Sequence, residues 1–311
     1  MFKDTIYQKL THKTKRIIQE FQEEPLRKII YTSFNGDDMH HMLAMCDRVL
    51  KNNEIALNPE MALGYYISTE TLGGKKVNVM TDCLTLTVFS DKLLVYGRPD
   101  SILSEGVMAE VFLWSQIKNK KAIFVPNVYS DEIIEMGYLE LKEWLSKISD
   151  LDFRNEIYNN LLSLYRSQTH KTVYLGANFA NYKHIDWARV HAYKRGLCPI
   201  SPHNVLSYYL YHNVDDSDER YLKDRLTLLL RSDIYWLCID STNLETELNR
   251  LDQNTLAELY MLNNFYTEKE VRIVDWGEIG VPKYNKSEKW ALTTREQEEI
   301  LGHSWPLEFR K

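Results

Sequence analysis

Two kinds of apolar run alternate along the chain. The short ones are unbroken and rich in β-branched and aromatic residues: IIYT from Ile29, KLLVYG from Lys92, KAIFVP from Lys121, TVYLG from Thr172, IYWLCI from Ile234 and VRIVDW from Val271. They have the length and make-up of strands buried on both faces. Longer stretches with three-to-four spacing lie between them. These predict helices over His40–Asn52, Val107–Ile117, Lys183–Arg195 and Thr255–Phe265, and in the segments that run into Ser90 and Ser232. Strand and helix in alternation imply an α/β fold, with a parallel sheet carrying helices on both faces.

The alternation is written twice. TDCLTLTVFSDKLLVYG from Thr81 aligns without a gap on KDRLTLLLRSDIYWLCI from Lys223, so that Asp82 meets Asp224 and Asp91 meets Asp233. KIIYTSFNGDD from Lys28 pairs with KTVYLGANFAN from Lys171, setting Tyr31 opposite Tyr174. NPEMALGYYI from Asn58 pairs with SPHNVLSYYL from Ser201. EGVMAEVFLW from Glu105 pairs with QNTLAELYML from Gln253, after a longer loop in the second copy, and sets Glu110 opposite Glu258. An ordered series of matches at nearly constant spacing indicates internal duplication. The expected layout is two tandem flavodoxin- or Rossmann-like domains, at 28–127 and 170–276. An amphipathic helical arm precedes them over 1–27, and a helical connector over 128–169 joins them. A tail over 277–311 follows, expected to strap across a domain.

Composition narrows the partners. A formal net charge of −6 and a pI near 5.9 argue against a protein that coats nucleic acid, which needs a basic surface. A small anionic ligand held by local groups stays compatible. Cys46, Cys83, Cys198 and Cys238 are far apart and form no C-x-x-C pair, so neither a disulfide framework nor a metal site is expected. His40 and His41 are adjacent and point apart on a helix. No stretch reaches the about 20 apolar residues of a membrane span, and MFKDTIYQKLTHKTKR lacks the apolar core of a signal peptide. The expectation is a soluble, cytoplasmic protein with no cofactor.

In a parallel sheet, ligands bind at the carboxyl ends of the strands. The loop after the first strand holds Ser33 and Asn35 in one copy and Gly176 in the other. It either presents backbone N–H groups to an anion or is a plain β-to-α turn. Ser104 and Asp252 stand at helix entrances, where a cap accounts for them, followed by Gly106 and Asn254. Glu110 and Glu258 open otherwise apolar helices, where a carboxylate must be solvated or paired. Each has an aspartate (Asp82, Asp224) some way upstream, which suggests a carboxylate pair. No G-x-G-x-x-G follows either first strand, so a nicotinamide-dinucleotide dehydrogenase is disfavoured.

The order strand-Tyr, D-x-L…S-D-strand, then Ser104-x-Gly106-Val107-x-x-Glu110 or Asp252-x-Asn254-Thr255-x-x-Glu258 resembles the nucleoside 2-deoxyribosyltransferase superfamily. That group includes the 2′-deoxynucleoside 5′-phosphate N-hydrolases. The resemblance implies N-glycosidic cleavage or transfer on a nucleotide or nucleoside, with Glu110 or Glu258 as nucleophile. Asp82 or Asp224 would handle the proton on the leaving base, and the two carboxylates together would hold one pKa near neutral. Tyr31 or Tyr174 would bond the nucleophile or the sugar, and Ser104 the phosphate. Asp91 and Asp233 would shape the site. The resemblance also implies an internal pseudo-dimer, with further homo-oligomers open. Gly106 is intact in the first copy, which makes it the preferred catalytic one, whereas Asn254 replaces the usual Gly in the second. A non-catalytic nucleotide-binding or sensing module, and an effector that depletes a nucleotide such as NAD, stand as alternatives.

Overall fold

In the computed structural model, residues 2–34, 39–68, 76–99, 104–118, 120–147, 170–178, 184–210, 217–240, 244–266 and 268–279 are described. They are α/β, with two parallel-rich sheets flanked by helices. The chain divides into two compact units, 27–170 and 1–26 together with 171–311.

The first unit is built on β1 (Ile29–Ser33), β2 (Ile55–Leu57), β3 (Lys92–Tyr96), β4 (Ala122–Val125) and β5 (Ile134–Met136), in the order β2-β1-β3-β4-β5. The first four are parallel and β5 is antiparallel to β4. Its helices are α3 (Met39–Lys51), α4 (Pro59–Ser68), α5 (Lys76–Phe89), α6 (Glu105–Lys118) and α7 (Tyr138–Lys147). Every residue of β1 is buried, as a central strand covered on both faces requires.

The second unit repeats the plan. Its strands β6 (Lys171–Ala177), β7 (Leu197–Ile200), β8 (Ile234–Ile239) and β9 (Glu270–Asp275) lie in the order β7-β6-β8-β9, all parallel. The helices are α8 (Ile185–Lys194), α9 (Pro202–Val205), a 3₁₀ turn at Ser207–Leu210, α10 (Ser217–Arg231), α11 (Leu244–Asn249), α12 (Gln253–Phe265) and α13 (Trp276–Ile279). Alternate residues of β6 and β8 (Val173, Leu175, Ala177, Ile234, Trp236, Cys238) form one core with α8 and α13. The residues between them, Tyr174, Gly176 and Tyr235, therefore face the opposite layer. The register is shared: Tyr31 pairs with Leu93 in the first sheet, and Tyr174 with Tyr235 in the second.

The N-terminal arm is α1 (Phe2–Lys9) and α2 (His12–Glu23), and it belongs to the second unit. Thr11 caps α2 by accepting from Thr14 N at 3.2 Å. Gln253, at the start of α12, accepts from Thr11 N at 2.8 Å and donates to Lys9 O at 3.0 Å. Lys223 of α10, 7% exposed, reaches Glu24 at 2.9 Å, Glu219 at 3.0 Å and Glu20 at 3.3 Å. A cation that deep needs countercharge, and the arm supplies two of the three carboxylates.

Two features depart from the sequence reading. The short strands β2 and β7 follow α3 and α8, where only a turn was expected. Each helix stops at a residue with positive φ, Asn53 at 58° and Gly196 at 69°, the left-handed cap that ends a helix and releases the chain. Pro199 is tolerated in β7 because that strand is at the sheet edge. The connector is not helical throughout: Ile134–Met136 add β5 before α7, and 148–169 lie outside the described residues. So does 280–311, which holds nearly all of the tail.

Candidate functional site

Strand order locates the carboxylates. From β1 the chain goes outward to β2, and its next strand, β3, lies on the other side of β1. β6 stands likewise between β7 and β8. Ligands of open α/β sheets bind at such switch points, beyond the carboxyl ends of the strands. Ser33 is the last residue of β1, and there Glu110 of α6 meets the sheet.

Glu110 is held by two hydroxyls. Tyr31 Oη donates to Oε1 at 2.7 Å and Ser33 Oγ to Oε2 at 2.5 Å. The residue is 5% exposed. Burial pushes its carboxyl up to about 7, against the pull of Ser33 and Tyr31. Burial, rather than a second carboxylate, is thus the leading cause of the near-neutral value. Burial likewise raises Tyr31 and Cys83 well above their ordinary values, with Glu110 adding to both shifts. Cys83, on α5, is thus the uncharged neighbour of this cluster.

Asp82, one residue earlier, is fully buried and pairs with His170 Nδ1 at 2.9 Å. Ser104 caps α6, with its carbonyl accepting from Met108 N at 3.0 Å and its hydroxyl from Val107 N at 3.4 Å; Gly106 is half-buried on the same turn. Asn35 lies outside the described residues. Asp91 is at the other end of the sheet, where its Oδ2 accepts from Ile29 N at 2.9 Å. Asp233 does the same for Thr172 N at 2.7 Å. These two aspartates brace the amino ends of the central strands, away from the carboxylates they were expected to serve.

The second repeat arranges equivalent residues differently. Glu258 of α12 is fully buried, and Tyr174 Oη donates to its Oε1 at 2.5 Å. Arg225 Nε donates to the same oxygen at 2.7 Å, and Nη2 stands 2.6 Å from it. Tyr235 Oη reaches Oε2 at 3.2 Å. Burial pushes Glu258 up and the guanidinium pulls against it. Burial also opposes the Arg225 charge, but Glu258 overcomes it and holds the guanidinium well above its ordinary value; the pair is ionic. Asp224 is fully buried and accepts from Tyr209 Oη. Asp252 caps α12, accepting from Thr255 N at 2.8 Å, and Asn254 beside it is half-buried.

Three aligned differences matter, and the sequence pointed to neither Cys83 against Arg225 nor Leu93 against Tyr235; the third is Ser33 against Gly176. The last two are one exchange. A Cβ on Gly176 would stand 2.1 Å from Tyr235 Oη, so the tyrosine hydroxyl takes the place and the bond that Ser33 has in the first repeat. The signal lay where the aligned copies differ, whereas the sequence reading followed where they agree. Among the described residues no group of three His, Cys, Asp or Glu is placed to hold a metal ion, and no helix is long and apolar enough to cross a membrane. No protein family, curated protein or solved structure matches the chain.

Proposed function

We propose that the chain is a tandem of two Rossmann-like domains that cleaves or transfers an N-glycosidic bond of a nucleotide or nucleoside, with Glu110 as nucleophile in the first repeat. One observation carries the reading. Among the described residues, the buried carboxylate at the switch point meets two hydroxyl donors and a neutral thiol, while its counterpart Glu258 is consumed by an ion pair with Arg225.

In the reaction, Glu110 attacks C1′ and the bond from C1′ to the base nitrogen breaks. Its electron pair leaves with the base, which takes a proton from solvent. The positive charge that develops on the sugar gains from the carboxylate beside it. Water, or a second base, then attacks C1′ and frees Glu110. Tyr31 and Ser33 fix the carboxylate in one orientation and stabilise its ionised form. The second repeat is then the non-catalytic partner.

The test is to incubate the protein with a panel of nucleosides and their 5′-phosphates and follow free base by chromatography. Release of a base that disappears in Glu110→Gln supports the reading. If the common nucleotides bind and none is cleaved, the chain is a binding module and the enzymatic reading fails. A nucleotide profile of cells expressing the protein separates salvage from depletion of a dinucleotide.

A further inference from the structure

Around the two glutamates the hydroxyl donors correspond, and the group beside them differs in charge. A tyrosine from the middle of the first strand bonds Oε1 in each, at 2.7 Å in one and 2.5 Å in the other. A hydroxyl bonds Oε2 in each, from Ser33 or from Tyr235. The remaining group, at one aligned position, is the neutral Cys83 or the charged Arg225. The two differ in access as well: Glu110 and Cys83 are 5% and 7% exposed, whereas Glu258 and Arg225 are both at 0%.

Among the described residues Glu110 meets hydroxyls and a neutral thiol, and none of these gives its ionised form the countercharge that burial demands. The second repeat shows what satisfies this frame: a planar, delocalised cation within 2.7 Å of Oε1. An oxocarbenium-like sugar is also planar at its cationic centre, with charge shared between carbon and ring oxygen.

We infer that the first repeat binds a small organic cation against Glu110, in the place that Arg225 fills in the second, and that its preferred ligands are sugars carrying positive charge in the ring. The second repeat is a self-filled version of the same site. This inference rests on the N-glycosidic reading for the identity of the sugar, and on the comparison of the repeats for the charge.

The probe is an imino-sugar, in which a protonated ring nitrogen replaces the ring oxygen of ribose, set against the neutral anhydro sugar of the same shape. Titration calorimetry on the full chain is expected to show the imino-sugar binding at least about tenfold tighter, as one desolvated charge contact predicts. Binding tightens about tenfold between about pH 6 and about pH 8, as Glu110 ionises through its value of about 7. Glu110→Gln, which keeps the shape of the side chain, and Cys83→Arg, which fills the site from within, each remove the preference for the charged ring. Equal binding of the two sugars, or a preference that survives Glu110→Gln, overturns the inference. Base release together with such indifference to charge would leave the N-glycosidic reading standing. Imino-sugar binding with no base released from any nucleotide would refute that reading instead.

Discussion

One substitution made in both repeats is expected to act with opposite sign at about pH 8. In Glu110→Gln the perturbation is loss of a buried, titrating carboxyl. Its folded-state pKa of about 7 lies above the ordinary 4.5, so the folded chain binds more protons than the unfolded one between those values. Stability therefore falls as pH rises through that window and is level above it. At 1.36 kcal/mol for each factor of ten, the gap amounts to about 3 kcal/mol by about pH 8. Glutamine avoids this loss. It turns an amide toward one hydroxyl, which weakens a hydrogen bond by about 1 kcal/mol. The net expectation is a gain of about 2 kcal/mol near pH 8 and a loss of about 1 kcal/mol below about pH 4.5. Glu258→Gln instead strands the buried Arg225 guanidinium and should cost about 3–5 kcal/mol at either pH. Hydrogen exchange read by mass spectrometry on peptides covering β1 and β6 reports each unit separately. Glu110→Gln that destabilises β1 equally at both pH values, or two substitutions of the same sign at about pH 8, would refute the reasoning.

Other outcomes follow from the same geometry. Base release, expressed as kcat/KM, should rise with pH and level off above about 7, because Glu110 must be ionised to attack. Tyr31→Phe removes a donor to the carboxylate and should move that inflection to higher pH, lowering the rate most at neutrality; an unmoved profile counts against the role of Tyr31. Gly176→Ser should destabilise the second unit by about 1–3 kcal/mol through overpacking, and Tyr235→Leu made with it should recover most of the loss, as a double-mutant cycle in urea would show. Asp91→Ala should cost about 1–3 kcal/mol by leaving Ile29 N without its acceptor, while kcat at saturating substrate stays near wild type.

The repeat was readable because matched tyrosines, aspartates and glutamates recur in order, and the buried strands announce themselves by unbroken apolar runs. Glu110 with Tyr31 was legible for the same reason. β2 and β7 were not, because three or four residues are too few for a period and Pro199 argues against a strand until its edge position is known. Neither was the service of Asp91 and Asp233. Proximity in sequence to the second strand does not say which end of the sheet a side chain braces. Arg225 escaped notice because an arginine in a charged helix reads as surface, and only its 0% exposure gives it away.

Gly176 and Tyr235 also fix an order of events. A serine does not fit at position 176 without displacement while the tyrosine hydroxyl stands 2.1 Å from the Cβ it would bring. Tyr235 has to shrink first, and that step alone removes a hydroxyl from Glu258 without replacing it. Passage from the second-repeat arrangement to that of the first therefore crosses a less stable intermediate, so the difference at this pair resists single-step exchange. The two copies can drift further apart by single substitutions, but they cannot converge at this pair by one.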